Sequence, residues 1–177
     1  MDMDGMESID LRTLGGTDNV VIGDLSGTDL TQIGIDLRDP NGGSDGNVDA
    51  VTVNATNGGD VFSVTGVQVF GLQAVVNMFH TDADDRLTLN GLGGDDVIDA
   101  SSLEAGAVQL TKNGGLGNDL FLGSEGDDLI NGGDGDDVLI GGDGNDTVLG
   151  EAGDDVLLGG LGLDIPDGGA GDNILIQ

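Results

Sequence analysis

Six aspartates recur at nine-residue intervals toward the C-terminus: Asp119, Asp128, Asp137, Asp146, Asp155 and Asp164, with Asn173 at the seventh step. A short carboxylate at fixed spacing can do two things. It can cap turns by accepting backbone N–H groups, or it can supply oxygen to a hard cation. A capping role alone does not call for Asp at one column six times running. Zinc and copper are poor candidates, since the chain has no Cys and a single histidine, His80. Magnesium retains its water and demands a tighter octahedron, so calcium, with six to eight oxygens in flexible geometry, suits a carboxylate and carbonyl site best.

The elements that must hold these carboxylates are written in the same nines. From Gly114 to Ile176 the chain divides without a gap into GGLGNDLFL, GSEGDDLIN, GGDGDDVLI, GGDGNDTVL, GEAGDDVLL, GGLGLDIPD and GGAGDNILI. Positions 1 and 4 are always Gly, and position 8 is Phe121, Ile130, Leu139, Val148, Leu157, Pro166 and Leu175. Six Gly-rich residues favour a turn with positive φ. Three residues with an apolar centre favour a short strand. Turn plus strand makes half a coil, so two units complete one coil and unit n stacks on unit n+2 about 4.8 Å away. Position 8 then points inward, and positions 7 and 9 point outward. Position 6 falls into two rows of carboxylates, where each neighbouring pair costs about 0.9 kcal/mol in water and about 3.5 kcal/mol at an effective dielectric of 20. Such rows need a divalent ion between the turns.

Composition agrees. Lys plus Arg is 4 against 34 Asp plus Glu, a formal net charge of -30. That surface repels nucleic-acid phosphates and repels itself unless cations neutralise it. High Gly with high charge usually signals disorder, but the apolar residues here stand in register. No apolar run approaches the ~20 residues that span a bilayer. The N-terminus, MDMDGMESIDL, has neither the basic start nor the apolar core of a signal peptide.

The nine-residue units resemble the RTX, or haemolysin-type, calcium-binding repeat, G-G-x-G-x-D-x-U-x with U a large apolar residue. The resemblance covers 114–176, and an imperfect copy, GLGGDDVID from Gly91, carries Asp96 and Ile98 at positions 6 and 8. It implies an all-β, right-handed parallel β-roll holding several calcium ions, about four or five in the regular block. It also implies the remaining ligands. These are carbonyls of position 1 (Gly114, Gly123, Gly132, Gly141, Gly150, Gly159) and position 3 (Leu116, Glu125, Asp134, Asp143, Ala152, Leu161) from one turn. Carbonyls of position 2 (Gly115, Ser124, Gly133, Gly142, Glu151, Gly160) and position 4 (Gly117, Gly126, Gly135, Gly144, Gly153, Gly162) come from the stacked turn. The paired carboxylates would be Asp119 with Asp137, Asp128 with Asp146, Asp137 with Asp155, and Asp146 with Asp164. The resemblance further implies calcium-dependent folding outside the cell and type I secretion from a Gram-negative bacterium, although the usual signal follows the repeats and only Gln177 does here.

Three regions emerge: 1–90, 91–113 and 114–177. The first has no clean nines but has short apolar runs bounded by Gly, Asn or Asp. They are Ser8–Leu11, Asn19–Ile22, Ala50–Asn54, Val61–Val64, Val67–Phe70, Ala74–Met78 and Arg86–Asn90, each expected as a strand. The expectation is an irregular solenoid that caps the roll, with a β-sandwich as alternative. The Gly91 unit lies 23 residues ahead of Gly114, so it is out of phase, with Ala100–Asn113 as an insertion. Pro166 in the inward column suits an edge and marks a C-terminal cap, with NILIQ packed over the last coil.

Lesser candidates are Asp18, Asp60 and the cluster Asp82, Asp84 and Asp85, read first as solvated turns and second as calcium sites. His80 reads as a plain surface or core histidine. Arg12, Arg38, Arg86 and Lys112 are expected in exposed ion pairs of little weight. Without Trp or Tyr to stack on a sugar, and with most Asp in repeat columns, this segment reads as no enzyme, though it could accompany one. Ice binding needs a flat Thr or Asn ladder, and positions 3 and 5 are too mixed to make one. Outward apolar residues (Val138, Ile140, Leu149, Val156, Leu158) suggest a face for self-association or for a larger parent chain.

Overall fold

The computed structural model describes residues 8–13, 15–26, 29–42, 46–71 and 75–177, and the described residues contain no helix. The N-terminal strands are β1 (Ser8–Arg12), β2 (Asn19–Ile22), β3 (Gln32–Asp36), β4 (Ala50–Asn54), β5 (Val61–Thr65), β6 (Gln68–Phe70), β7 (Val75–Phe79), β8 (Arg86–Gly93) and β9 (Val97–Ser102). The rest are β10 (Gln109–Leu116), β11 (Leu120–Leu122), β12 (Leu129–Asp134), β13 (Val138–Asp143), β14 (Thr147–Ala152), β15 (Val156–Leu161), β16 (Ile165–Asp167) and β17 (Ile174–Ile176). They form a ten-stranded sheet, β1-β3-β7-β6-β5-β9-β11-β13-β15-β17, and a seven-stranded sheet, β16-β14-β12-β10-β8-β4-β2. Successive strands alternate between the sheets through the repeats, which is the coil-by-coil winding of a parallel β-roll.

In the repeats each strand pairs in parallel with the one 18 residues on: Phe121 opposite Leu139, Leu139 opposite Leu157, Ile130 opposite Val148. The inward column is the core. Phe121, Ile130, Leu139, Val148 and Leu157 are all 0% exposed, and each side chain so buried contributes about 1.5–3 kcal/mol. Glycine is required where turns stack. Gly133 has φ 113, and a Cβ there would overlap the Gly115 carbonyl oxygen below it.

All the expected strands appear, with small shifts; Ala74 lies outside the described residues, as does the stretch 1–7. Two strands were not anticipated: β3, whose QIGID run has a glycine at its centre because Gly34 packs against Asp10 and Phe79, and β10, whose first residues, Gln109–Asn113, lie in the stretch expected to be an insertion. The N-terminal stack also departs from a pure parallel coil. β6 runs antiparallel to both β5 and β7, and the reversal between β5 and β6 is a tight turn at Gly66, φ 58.

Two expectations need correction. The Gly91 unit is out of phase in sequence but not in space: β8 pairs with β10 from Arg86–Gln109 to Gly93–Leu116. A loop between β9 and β10 absorbs the five residues beyond 18. And the C-terminal strand does not fold over the last coil. β17 continues the ladder on β15, leaving Leu175 46% and Ile176 48% exposed.

Candidate metal centre

The two aspartate rows form as the nine-residue period requires, and each row is laced to the backbone. The N–H of one position-6 residue donates to Oδ1 of the residue one coil further on. On one side the chain of bonds runs from Asp60 to Asp96 (2.6 Å), Asp96 to Asp119 (2.8 Å), Asp119 to Asp137 (2.8 Å), Asp137 to Asp155 (2.9 Å) and Asp155 to Asn173 (2.7 Å). On the other side it runs from Asp128 to Asp146 (2.9 Å) and Asp146 to Asp164 (3.0 Å). Past the first aspartate of each row, Asp96, Asp119, Asp137, Asp146 and Asp155 therefore do cap turns, but with one oxygen only.

The second oxygen decides the chemistry. Oδ2 of Asp96, Asp119, Asp137, Asp146 and Asp155 is buried with no donor. A buried carboxylate oxygen left without a partner costs well over 1 kcal/mol. Each faces the position-1 glycine of its own turn, beside the position-1 carbonyl of the turn stacked next. At Gly114 an added Cβ would overlap both Asp119 Oδ2 and the Gly132 carbonyl; at Gly150 it would overlap Asp155 Oδ2 and lie 2.8 Å from the Gly168 carbonyl. Gly132 and Gly141 repeat the arrangement with Asp137 and Asp146. Carboxylate and carbonyl oxygens of two turns thus converge on one small space where no side chain fits.

Among the described residues no three acidic or imidazole side chains gather at one point. A cation here must take its remaining ligands from the main chain, which suits calcium. Four of these carboxylates, those of Asp96, Asp119, Asp137 and Asp146, are also weakened as acids. Burial first, then neighbouring carboxylates, raises Asp137 to about 7 and Asp96 and Asp146 to about 6, against the lowering effect of the backbone bond each accepts. Asp119 is raised too, chiefly by burial.

A further row at position 5 was not foreseen. Here the bonding direction reverses: Asn118 N–H donates to Asp95 Oδ1 (2.9 Å), Asp136 to Asn118 (2.8 Å), Asp154 to Asp136 (2.9 Å) and Asp172 to Asp154 (2.8 Å). The opposite side has Asn145 on Asp127 (2.7 Å) and Leu163 on Asn145 (3.1 Å). The signal was available, since position 5 is Asp or Asn in every unit from Gly114 on except the one with Leu163.

The turn 123–128 breaks the pattern. Ser124 and Gly126 do not take the positive φ that positions 2 and 4 adopt in the other turns, as at Gly133 and Gly135. The Ser124 carbonyl already accepts from Asp143 N–H (3.1 Å).

The N-terminal candidates sort differently. Asp18 N–H donates to Asp49 Oδ1 (2.8 Å) and Asp49 N–H to Asp85 Oδ1 (2.9 Å), a third aspartate row. Asp85 is buried at 2% exposure rather than solvated, and its Oδ2 accepts from Asp82 N–H (2.9 Å), while Asp84 N–H binds Asp82 Oδ1 (3.0 Å). His80 is exposed, with Nδ1 2.9 Å from Asp36, which also meets Arg38 (2.8 Å) and Arg12 (3.4 Å). Arg86 meets Gln109 rather than a carboxylate (3.4 Å). Lys112, expected at the surface, is fully buried in the core.

Stacked two-turn coils lined by oxygen cradles define a parallel β-roll for hard divalent ions. The family model for the RTX calcium-binding nonapeptide repeat (4 copies) matches residues 88–102, 113–148 and 140–175. Over these residues the chain carries RTX, haemolysin-type calcium-binding repeats, which are a structural calcium-binding module rather than a catalytic one. No curated protein matches the chain significantly.

Proposed function

We propose that the chain is an extracellular module whose regular roll folds when calcium fills its turns, and which then serves as a rigid structural or adhesive segment. The carrying observation is the set of buried Oδ2 atoms without donors. Metal binding to the folded state alone stabilises it by mass action. Four or five ions would occupy 114–176, and residues 1–90 would cap the start of the roll. Low cytoplasmic calcium leaves the repeats unfolded, and millimolar calcium outside the cell folds them, as suits export from a Gram-negative bacterium. Self-association would use the outer face of the ten-stranded sheet, where Val61, Val97, Leu120, Val138, Val156 and Ile174 stand rung over rung. Circular dichroism tests the reading. β signal should appear as calcium is added to metal-free chain and vanish with chelator; a spectrum indifferent to both would refute it.

One observation favours a second reading, ice binding, for which positions 3 and 5 offered no ladder. A ladder exists elsewhere, on the outer face of the seven-stranded sheet. Thr52, Thr88 and Thr111 align, as do Asn54, Asn90, Asn113 and Asn131. Asn90 donates to Asn54 (2.7 Å) and Asn113 to Asn90 (2.8 Å). Rungs about 4.8 Å apart and columns about 6.6 Å apart make a regular polar lattice. Thermal hysteresis in calcium would support this reading, and its absence would leave the ladder as a backbone brace.

A further inference from the structure

The second aspartate row starts at Asp128, and its first rung is built unlike the others. At Asp146 the Oδ2 atom is buried without a donor. At Asp128 the same oxygen is occupied: Ser124 N–H donates to it at 2.7 Å and Lys112 Nζ lies 3.5 Å away, while the Ser124 hydroxyl bonds Oδ1 at 2.9 Å. Nζ also donates to the Leu122 carbonyl at 2.9 Å. Lys112 stands in the inward column, opposite Leu89 on one side and Ile130 on the other. It fills a place where the repeats carry an apolar residue, and it is 0% exposed. One residue ahead of the Thr111–Leu129 pair, Leu110 stands opposite Asp128, so no carboxylate precedes it in the row.

The first rung of the other row supplies a comparison. Asp60 Oδ2 accepts from Thr56 N–H (3.0 Å) and the Thr56 hydroxyl (2.8 Å). Gly58 N–H bonds the Thr56 hydroxyl (3.2 Å), just as Gly126 N–H bonds the Ser124 hydroxyl (3.1 Å). Both rows therefore open with a hydroxyl residue at position 2 folded onto the aspartate at position 6. Asp60 is only half-buried, and neutral donors suffice there. Asp128 is 4% exposed, and a buried carboxylate needs a countercharge. An ammonium is a compact point charge with three donors, and here it is already bonded to a carbonyl as well as facing the carboxylate.

We propose that Lys112 is a tethered cation that takes the place of calcium at the head of this row, so that the Asp128–Asp146 step binds no ion and metal loading on this side begins one step later. Lys112 is then a positioning and stoichiometry-setting residue. This rests on the calcium reading above.

The test restores the repeat pattern. Lys112→Leu with Ser124→Gly returns an apolar residue to the inward column and glycine to position 2. Native mass spectrometry at saturating calcium should count one more ion on this variant than on the parent chain. An equal or smaller count on a variant with the parent's circular dichroism overturns the proposal. Zero ions on both chains would instead overturn the calcium reading itself. Should the variant not fold, the parent chain still decides, because Lys112 is its sole lysine. In saturating calcium an amine-reactive label should modify it at least about 100-fold more slowly than in denaturant, as for a group released only by local opening. Labelling at the denatured rate would mean that calcium had displaced the ammonium, and the proposal would fail.

Discussion

Replacing Asp137 separates the two jobs that each row aspartate performs. Asp137 sits mid-row, accepting the Asp119 N–H at 2.8 Å through Oδ1 and presenting a donorless Oδ2. Asp137→Asn keeps the acceptor, as Asn173 does naturally for Asp155 N–H at 2.7 Å, but removes the charge. Asp119 and Asp155 lie one rung away, about 4.8 Å. At pH 8 without metal, relieving both repulsions should stabilise the roll by about 2–7 kcal/mol, from bulk-water to intermediate dielectric. Calcium should then stabilise Asp137→Asn by about 2.7–5.4 kcal/mol less than it stabilises the parent, about 2.7 kcal/mol for each ion lost at 100 times its Kd, because Asp137 shares one site with Asp119 and one with Asp155. Asp137→Ala should lie below Asp137→Asn by about 1–3 kcal/mol in both conditions, because it strands the buried Asp119 N–H. The assay is the calcium concentration at half-folding by circular dichroism, with urea melts where the metal-free chain is folded. If Asp137→Asn left the calcium midpoint where it is in the parent, the row would be a backbone brace and the metal argument would collapse.

Other expectations follow from the same geometry. In metal-free chain, stability should be greatest near pH 4 and fall as pH rises through 6 to 7. The folded-state carboxyls are raised to about 7 at Asp137 and about 6 at Asp96 and Asp146, so the folded state holds protons that the unfolded chain releases near pH 4. A flat or rising profile in thermal melts would contradict this, and calcium at pH 7 should restore what the lost protons supplied. Gly135→Ala should cost at least about 1–2 kcal/mol from its φ of 136 alone, and more because the new Cβ overlaps the Gly117 carbonyl; an unchanged melting temperature would refute it. Leu139→Ala, at a fully buried inward position, should cost about 2–5 kcal/mol, whereas Leu161→Ala, 70% exposed, should be nearly neutral in the same urea melts.

Residues 114–176 were legible because one unit length governs everything there. When each half-coil is nine residues, position in the sequence is position in space, and Phe121, Asp119 and Gly115 could be placed without coordinates. Elsewhere the coil length varies. Asn54 meets Asn90 across 36 residues and Asn90 meets Asn113 across 23, so no fixed period reveals their ladder or the phase of Asp96. Lys112 was misread because a charged residue in an inward column looks like a surface residue until its partner, Asp128, is known to lie inside the same turn. β3 was missed since Gly34 interrupts its apolar alternation. The C-terminal strand was misjudged because Pro166 signals an edge but does not say whether the chain then folds back or continues the ladder.

The most direct measurement is long-wavelength anomalous diffraction from crystals grown in millimolar calcium. Peaks should lie beside Asp119, Asp137 and Asp155 on one side and Asp146 on the other, each between stacked turns and within about 2.3–2.6 Å of Oδ2 and glycine carbonyl oxygens. A well-ordered roll whose turns carry no anomalous density under those conditions would contradict the account.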